Sequence, residues 1–421
     1  MRHPTRLAVL ALLLSSAAPA LAASKSPEQV AQAALRAAPV WDGHNDVAEQ
    51  LRGRSKDMLG GFNFADTTNT ADPAKKVSAY QTDLARLKAG HVGAQFWSVY
   101  VDYRLPEPQA VQATLEQIDT VKRLIARYPD RLQLATSSAE VERAWRVGKV
   151  ASLIGMEGGG SIGSSMGVLR QMYALGARYL TLAHYKTIGW ADSSNDDPKN
   201  GGLSPFGRQV VREMQRIGML VDLSHTSEGT MLAALEEARA PVFFSHSGAR
   251  AIDGHPRNVP DNVLDKLKVN GGIVMVNAVD YFVSEDLRQW RALRAAEEAR
   301  LKVIHTGYPD RIPPALDAWD ASHPKPVATL AQLADHVDHV VKRIGVDHVG
   351  VGADFDGGGE VEGFRSVADY PALFTELARR GYSQADLEKI ASRNMLRVMK
   401  SAEAYAAAHR GDPPIETETA F

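Results

Sequence analysis

The chain has 421 residues, enough to bury a large core as one elaborated barrel or as two smaller domains. Hydrophobic residues at 44% and charged residues at 23% are ordinary for a globular enzyme and exclude a disordered or fibrous chain, while a formal net charge of −2 offers no basic excess for neutralising nucleic-acid phosphates. A cysteine count of 0 excludes disulfides, thiolate ligands, a cysteine nucleophile and a lipidated N-terminal cysteine, so any metal must be held by histidines and carboxylates.

The chain starts with the pattern of a secretory signal peptide over residues 1–22. Arg2 and Arg6 precede an apolar run from Leu7 to Leu14, and Ala20-Leu21-Ala22 supplies the small-x-small cleavage pattern. That run is far short of the roughly 20 residues that span a bilayer. The expectation is an exported chain, periplasmic or secreted, with no membrane anchor and a mature single barrel domain over 23–421; the lack of disulfides suits a bacterial periplasm.

Eight short apolar runs follow, each ended by a turn and then a helical pattern: Val40-Trp41, Ala94–Tyr100, Val150–Met156, Tyr179–Ala183, Met219–Leu223, Val242–Ser245, Ile273–Asn277 and Val349–Ala353. Most are continuously apolar rather than alternating, as parallel strands covered on both faces must be. Amphipathic stretches such as Pro108–Tyr128, Pro205–Ile217, Gly229–Arg239 and Leu330–Ile344 lie between them. This alternation predicts either a doubly wound sheet or a (β/α)8 barrel, and the count of eight favours the TIM-like barrel. The charged, partly helical stretch at 280–325 reads as an insertion after the seventh strand: a lid, a dimer contact or a plain excursion.

Polar residues stand at the ends of these runs. His44 and Asp46 follow the first, Glu157 ends the third, His184 the fourth, His225 the fifth, His246 the sixth and Asp354 the eighth. In a (β/α)8 barrel such positions form the C-terminal rim, where active sites are built. One histidine after a strand is most often structural. Four of 13 histidines in such places, joined by three carboxylates, point to a metal centre, whereas His91, His255, His336 and His348 lie in helical or loop contexts and read as structural.

Hydrolysing an amide near neutral pH requires a hydroxide equivalent. Two divalent ions about 3.5–4 Å apart lower the pKa of a bridging water and polarise the carbonyl, and zinc suits imidazole and carboxylate ligands. On this reading His44, Asp46 and Glu157 hold one ion and His225 and His246 the other, with Glu157 as the bridge. His184 is a candidate further ligand.

The stretches DGHND, QFWSVY, KVASLIGMEGG, RYLTLAH, GLSPFG, PVFFSHS, RNVPD, GGIVMVN and DFDG, spread from Val40 to Met399, resemble the membrane (renal) dipeptidase family of metallopeptidases and stand in that family's order. The resemblance implies a TIM-like barrel, two zinc ions bridged by a glutamate, a homodimer, and hydrolysis of dipeptides, including those with a C-terminal D-amino acid. By motif, His44 and Asp46 resemble the ligands of the first zinc, Glu157 the bridge, and His225 and His246 the ligands of the second. His184 resembles the residue that binds the substrate carbonyl or its oxyanion, Arg257 the arginine that takes the terminal carboxylate, and Asp354 the acid/base aspartate, with Asp356 as a competing candidate. Mammalian members carry disulfides and a lipid anchor, and this chain has neither cysteines nor a hydrophobic C-terminal tail. The family tyrosine after GGIVMVN is matched by Tyr281 only with a shift.

Two other readings stay open. A metal-dependent amidohydrolase of the same fold would act on a non-peptide amide, lactone or ester, with Lys186 as a candidate carboxylated bridge. A periplasmic solute-binding protein would share the export signal and size.

Overall fold

The computed structural model describes residues 25–417, so the signal peptide expected over 1–22 lies outside the described residues. Nine strands form one all-parallel sheet: β1 (Val40–Asn45), β2 (Val92–Tyr100), β3 (Leu132–Leu134), β4 (Val150–Glu157), β5 (Ala177–Thr181), β6 (Leu220–Asp222), β7 (Phe243–Phe244), β8 (Ile273–Val276) and β9 (Val349–Val351). Pairing runs from β1 through β2 and β4 to β9 in sequence order and returns to β1, so eight strands close a TIM-like (β/α)8 barrel. Those eight coincide with the eight apolar runs. The ninth, β3, lies along residues 150–152 of β4 on the edge that β5 takes over from Ile154. Its sequence, LQL, is too short and too exposed to stand out as an apolar run.

Strand alternation divides the core in two. Trp41, Phe96, Leu153, Tyr179, Phe243 and Met275 cluster in the barrel interior, while their neighbours Val40, Ile154, Leu180, Phe244 and Val274 pack under the helices. Both faces are therefore apolar, which is why the runs do not alternate. Each fully buried side chain of this size stabilises the fold by about 1.5–3 kcal/mol. The last helix, Asn394–Ala408, adds Met395, Val398, Met399 and Ala402 to the interior cluster. Asn394 Nδ2 donates to the carbonyl of Val349 at 2.8 Å, which places this plug at the end of the barrel where the strands begin.

The helices start on local signals. Ser204 caps Pro205–Ile217 with proline in the first turn, and Thr329 forms a capping box with Gln332 at the head of Leu330–Ile344. After β8 the chain makes the helices Asp280–Val283, Glu285–Ile304 and Ile312–Ser322. Among the described residues, no helix is long and apolar enough to cross a membrane.

Candidate metal centre

Because the barrel strands are parallel, the residues that end them meet at one rim. Glu157 stands in the middle. Its Oε1 lies 3.0 Å from His225 Nε2, 3.4 Å from His246 Nε2, and 3.5 Å from both His44 Nε2 and His184 Nε2. His44 Nε2 also faces Asp46 Oδ2 at 3.3 Å and Asp354 Oδ1 at 4.0 Å. All seven residues are buried, from 0% exposure at His44 and His246 to 8% at Asp354. Three trios have ligand atoms within 4.8 Å of one another: His44–Glu157–His246, Glu157–His184–His225 and His44–Asp46–Asp354.

The chemistry of this donor set fits divalent cations. His246 Nδ1 is 2.7 Å from Ser245 Oγ, whose hydroxyl donates to Asp222 at 2.7 Å. The serine has one proton and spends it on Asp222, so the imidazole donates from Nδ1 and keeps a bare lone pair on Nε2. That lone pair faces His225 Nε2 at 2.9 Å. Burial holds His225 and His246 well below the ordinary imidazole pKa and pushes His184 down to about 4, so these three imidazoles are neutral at pH 7. Burial opposes the charge of Glu157, but the pull of His44 leads the effects that outweigh it and hold its pKa well below the carboxylate range. His44 Nε2 and Asp46 Oδ1 are buried without a hydrogen-bond partner. Convergent lone pairs of this kind repel unless a cation sits between them.

The backbone bends sharply where the rim forms. His225 (φ 65°) and Asp354 (φ 64°) adopt the left-handed conformation, which costs a non-glycine residue about 1–3 kcal/mol and recurs at functional sites. Gly357 is needed for space: a Cβ there would run into the carboxylates of both Asp46 and Asp354. Asp354 points at the centre, and burial together with the charge of Asp46 raises its pKa well above the carboxylate range. Asp356 does not. Its Oδ1 accepts from the backbone N–H of Gln81 at 2.8 Å, and its own N–H donates to Gln81 Oε1 at 2.6 Å, so it ties a neighbouring loop to the rim.

Arg257, in the loop motif RNVPD, is 0% exposed. Its Nη1 donates to Ser247 Oγ and its Nη2 to the carbonyl of His246, each at 3.1 Å, its Nε has no partner, and the guanidinium sits 5.4 Å over the ring of Phe282. It forms no ion pair with any carboxylate of the described residues. A buried cation in this state is unfavourable by several kcal/mol until an anion reaches it.

A cavity of about 510 Å³ opens outward from the centre, walled by Tyr185, His225, Tyr281, Phe282, Leu287 and Asp354. Its size is within the ~300–1,000 Å³ range of small-molecule sites. Tyr281 thus lines the cavity beside the rim. Leu287 and Arg291 come from the helix after β8, so that segment builds a cavity wall. Lys186 is exposed and joins none of the ligand trios. His336 is structural: its Nδ1 accepts from Ala249 N at 2.9 Å and its Nε2 donates to Val283 O at 3.1 Å.

Sequence reasoning passed over three residues at this site. Asp222, in LVDLSH, and Ser245, in VFFSHS, were polar positions inside apolar runs and were detectable on that ground. Glu49, whose pKa burial and the charges of Asp46 and Glu157 push up to about 8, lies on an ordinary surface helix and gives no signal.

Comparison with known proteins shows the family and the fold. Residues 28–412 match the family described as membrane dipeptidase (peptidase family M19). The chain is 40% identical over 377 residues to dipeptidase verJ of Clonostachys rogersoniana, covering 87% of this chain and 84% of that one. It is 37% identical over 394 residues to dipeptidase 3 of Homo sapiens, covering 92% and 70%. The crystal structure of the probable dipeptidase PvdM from Pseudomonas aeruginosa superposes with a TM-score of 0.74 at 25% identity, covering 90% of this chain and 99% of that one. A metallopeptidase from Rhodobacter sphaeroides, liganded with a phosphinate mimic of the dipeptide L-Ala-D-Ala, shares the fold with a TM-score of 0.70 at 22% identity, over 87% and 99% of the two chains.

Proposed function

Since this chain belongs to the membrane dipeptidase family of metallopeptidases, we propose that it hydrolyses dipeptides, including those with a C-terminal D-amino acid, using two zinc ions bridged by Glu157. The observation that carries this reading is the convergence of four histidine Nε2 atoms on one buried oxygen of Glu157. His44, Asp46 and Glu157 would hold one ion, and Glu157, His225 and His246 the other. When bound, two such ions supply a water acidic enough to attack near neutral pH and an electrophile for the carbonyl.

The remaining roles fall to the chain itself. His184 donates to the carbonyl oxygen as that atom gains charge. Asp354 takes the proton of the attacking water and delivers it to the leaving amine. Arg257 receives the terminal carboxylate in a bidentate fork. Because that carboxylate lies one residue beyond the scissile bond, the clamp confines the enzyme to dipeptides. We assign the working form as an exported homodimer.

The test is hydrolysis of L,L and L,D dipeptides and one tripeptide by chelator-stripped protein, with and without added zinc. Zinc-dependent cleavage of the dipeptides with the tripeptide spared is the expected result. No cleavage despite two bound ions would transfer the assignment to a non-peptide amide, lactone or ester.

A further inference from the structure

The opposite end of the barrel carries a second cavity of about 550 Å³, where β1, β2, β3 and β4 begin. Arg36, Lys88, Arg131, Arg146 and Lys149 all line it, and no aspartate or glutamate does. None of the five forms an ion pair with the described residues, and Arg131 has only the carbonyl of Leu84, at 3.2 Å. Elsewhere on this surface arginines are paired, Arg294 with Asp320 at 2.8 Å and Arg343 with Asp265 at 2.5 Å. In a chain whose formal net charge is −2, five unpaired cations around one hollow are a concentrated positive field.

Helix ends account for part of this. Arg36, Lys88 and Arg146 occupy the last turns of three helices, where cations are favoured. Each helix C-terminus is equivalent to about half a negative charge, so three of them offset only about 1.5 of five positive charges. Arg131 and Lys149 lie on no helix and have no such compensation. The floor of the cavity is apolar and aromatic. Pro39 and Trp145 line it, and Trp145 is held in place by donating Nε1–H to Gly93 O at 2.8 Å and by packing edge-on against Trp41 with ring centroids 6.2 Å apart.

We propose that this cavity binds a small phosphate ester, its dianionic head taken by the five cations and its apolar or aromatic substituent laid on Trp145. Guanidinium forks match phosphate oxygens bidentately, and a dianion balances most of the uncompensated charge. The site is at the far end of the barrel from Glu157, so binding is independent of the peptidase reading and leaves turnover unchanged.

Calorimetric titration of the full chain with phenyl phosphate, and with inorganic phosphate for comparison, tests this. One phenyl phosphate per chain should bind, at least about fivefold tighter than inorganic phosphate because of its ring contact. Arg36→Glu combined with Lys149→Glu should weaken it by about tenfold or more with dipeptide turnover retained; the milder Arg36→Gln and Lys149→Gln serve if the double variant does not fold. Trp145→Ala should erase the preference for phenyl phosphate while Trp145→Phe keeps it. Vesicles of phosphatidic acid, set against phosphatidylcholine, form a further arm: charge-reversal-sensitive vesicle binding makes the ester a lipid headgroup, and binding of phenyl phosphate alone makes it a free solute. No saturable binding, or binding untouched by charge reversal, overturns the proposal.

Discussion

Ser245 sits between a buried carboxylate and a buried imidazole: its Oγ is 2.7 Å from His246 Nδ1 and donates its proton to Asp222, also at 2.7 Å. Asp222 also accepts from the backbone N–H groups of Ser224 at 3.1 Å and Ser245 at 2.8 Å and from Thr181 Oγ1 at 2.5 Å, so the acceptor that orients Ser245 is itself immobilised. Ser245→Ala should therefore release the His246 tautomer and weaken zinc binding by about 10- to 100-fold, the usual cost of losing a partner that orients a metal ligand. Competition with a chromophoric chelator measures this, and turnover at saturating zinc should remain near wild type. Unchanged affinity would mean that Ser245 has no hold on the ring.

Glu157→Gln removes the charge that four histidines surround. Affinity for both ions should fall by about 100-fold or more, and turnover should be abolished. Metal content per chain, read alongside activity, decides the matter: full activity with two ions bound would exclude Glu157 as the bridge.

Arg257→Met replaces a buried cation that has no carboxylate partner with an apolar chain of similar length. Substituting apolar groups for buried charges is often neutral or stabilising by about 1–4 kcal/mol, so the midpoint of urea unfolding should hold or rise. Over the same change kcat/KM for a dipeptide should fall by at least about a hundredfold. Lost activity accompanied by lost stability would instead make Arg257 a structural residue.

Asp354 and Asp356 can be told apart by paired variants. Asp354→Asn should lower kcat by about 10²–10⁴-fold with the fold intact, the range for removing an acid/base group. Asp356→Asn weakens the acceptor of the Gln81 N–H and should act on stability while keeping the pH profile of turnover. The reverse pattern would exchange their roles.

His336 makes the fold sensitive to acid. Burial lowers its pKa to about 4, and its two nitrogens are committed as one acceptor and one donor. The unfolded chain takes up this proton near pH 6.5 while the folded chain refuses it until about pH 4. Stability from this group is complete above about pH 6.5 and is lost as pH falls towards 4, by at most about 1.4 kcal/mol per pH unit. Urea unfolding of wild type and His336→Gln across pH 4–7.5 should give a shallower pH dependence in the variant. Parallel curves would assign the acid sensitivity to other groups.

Much of this was legible in the chain itself. The barrel strands read as apolar runs because helices cover one face and the interior cluster of Trp41, Phe96 and Tyr179 covers the other. The strand β3 did not, since three residues on the flank of β4 carry no burial pattern of their own. The seven rim residues were found by position alone, because parallel strands bring their C-terminal ends to one place whatever lies between them.

Position does not specify environment, and the rest was decided only in three dimensions. Which lone pair of His246 is free depends on Asp222, 24 residues earlier, acting through Ser245. The loop motif of Arg257 gives no hint that Phe282, from the segment after β8, will cover its guanidinium. Tautomer, desolvation and charge coupling are set by neighbours that meet through the fold rather than along the chain. The sequence by itself therefore determined the barrel and its rim residues, while the tertiary structure decided their protonation, their partners and the burial of Arg257.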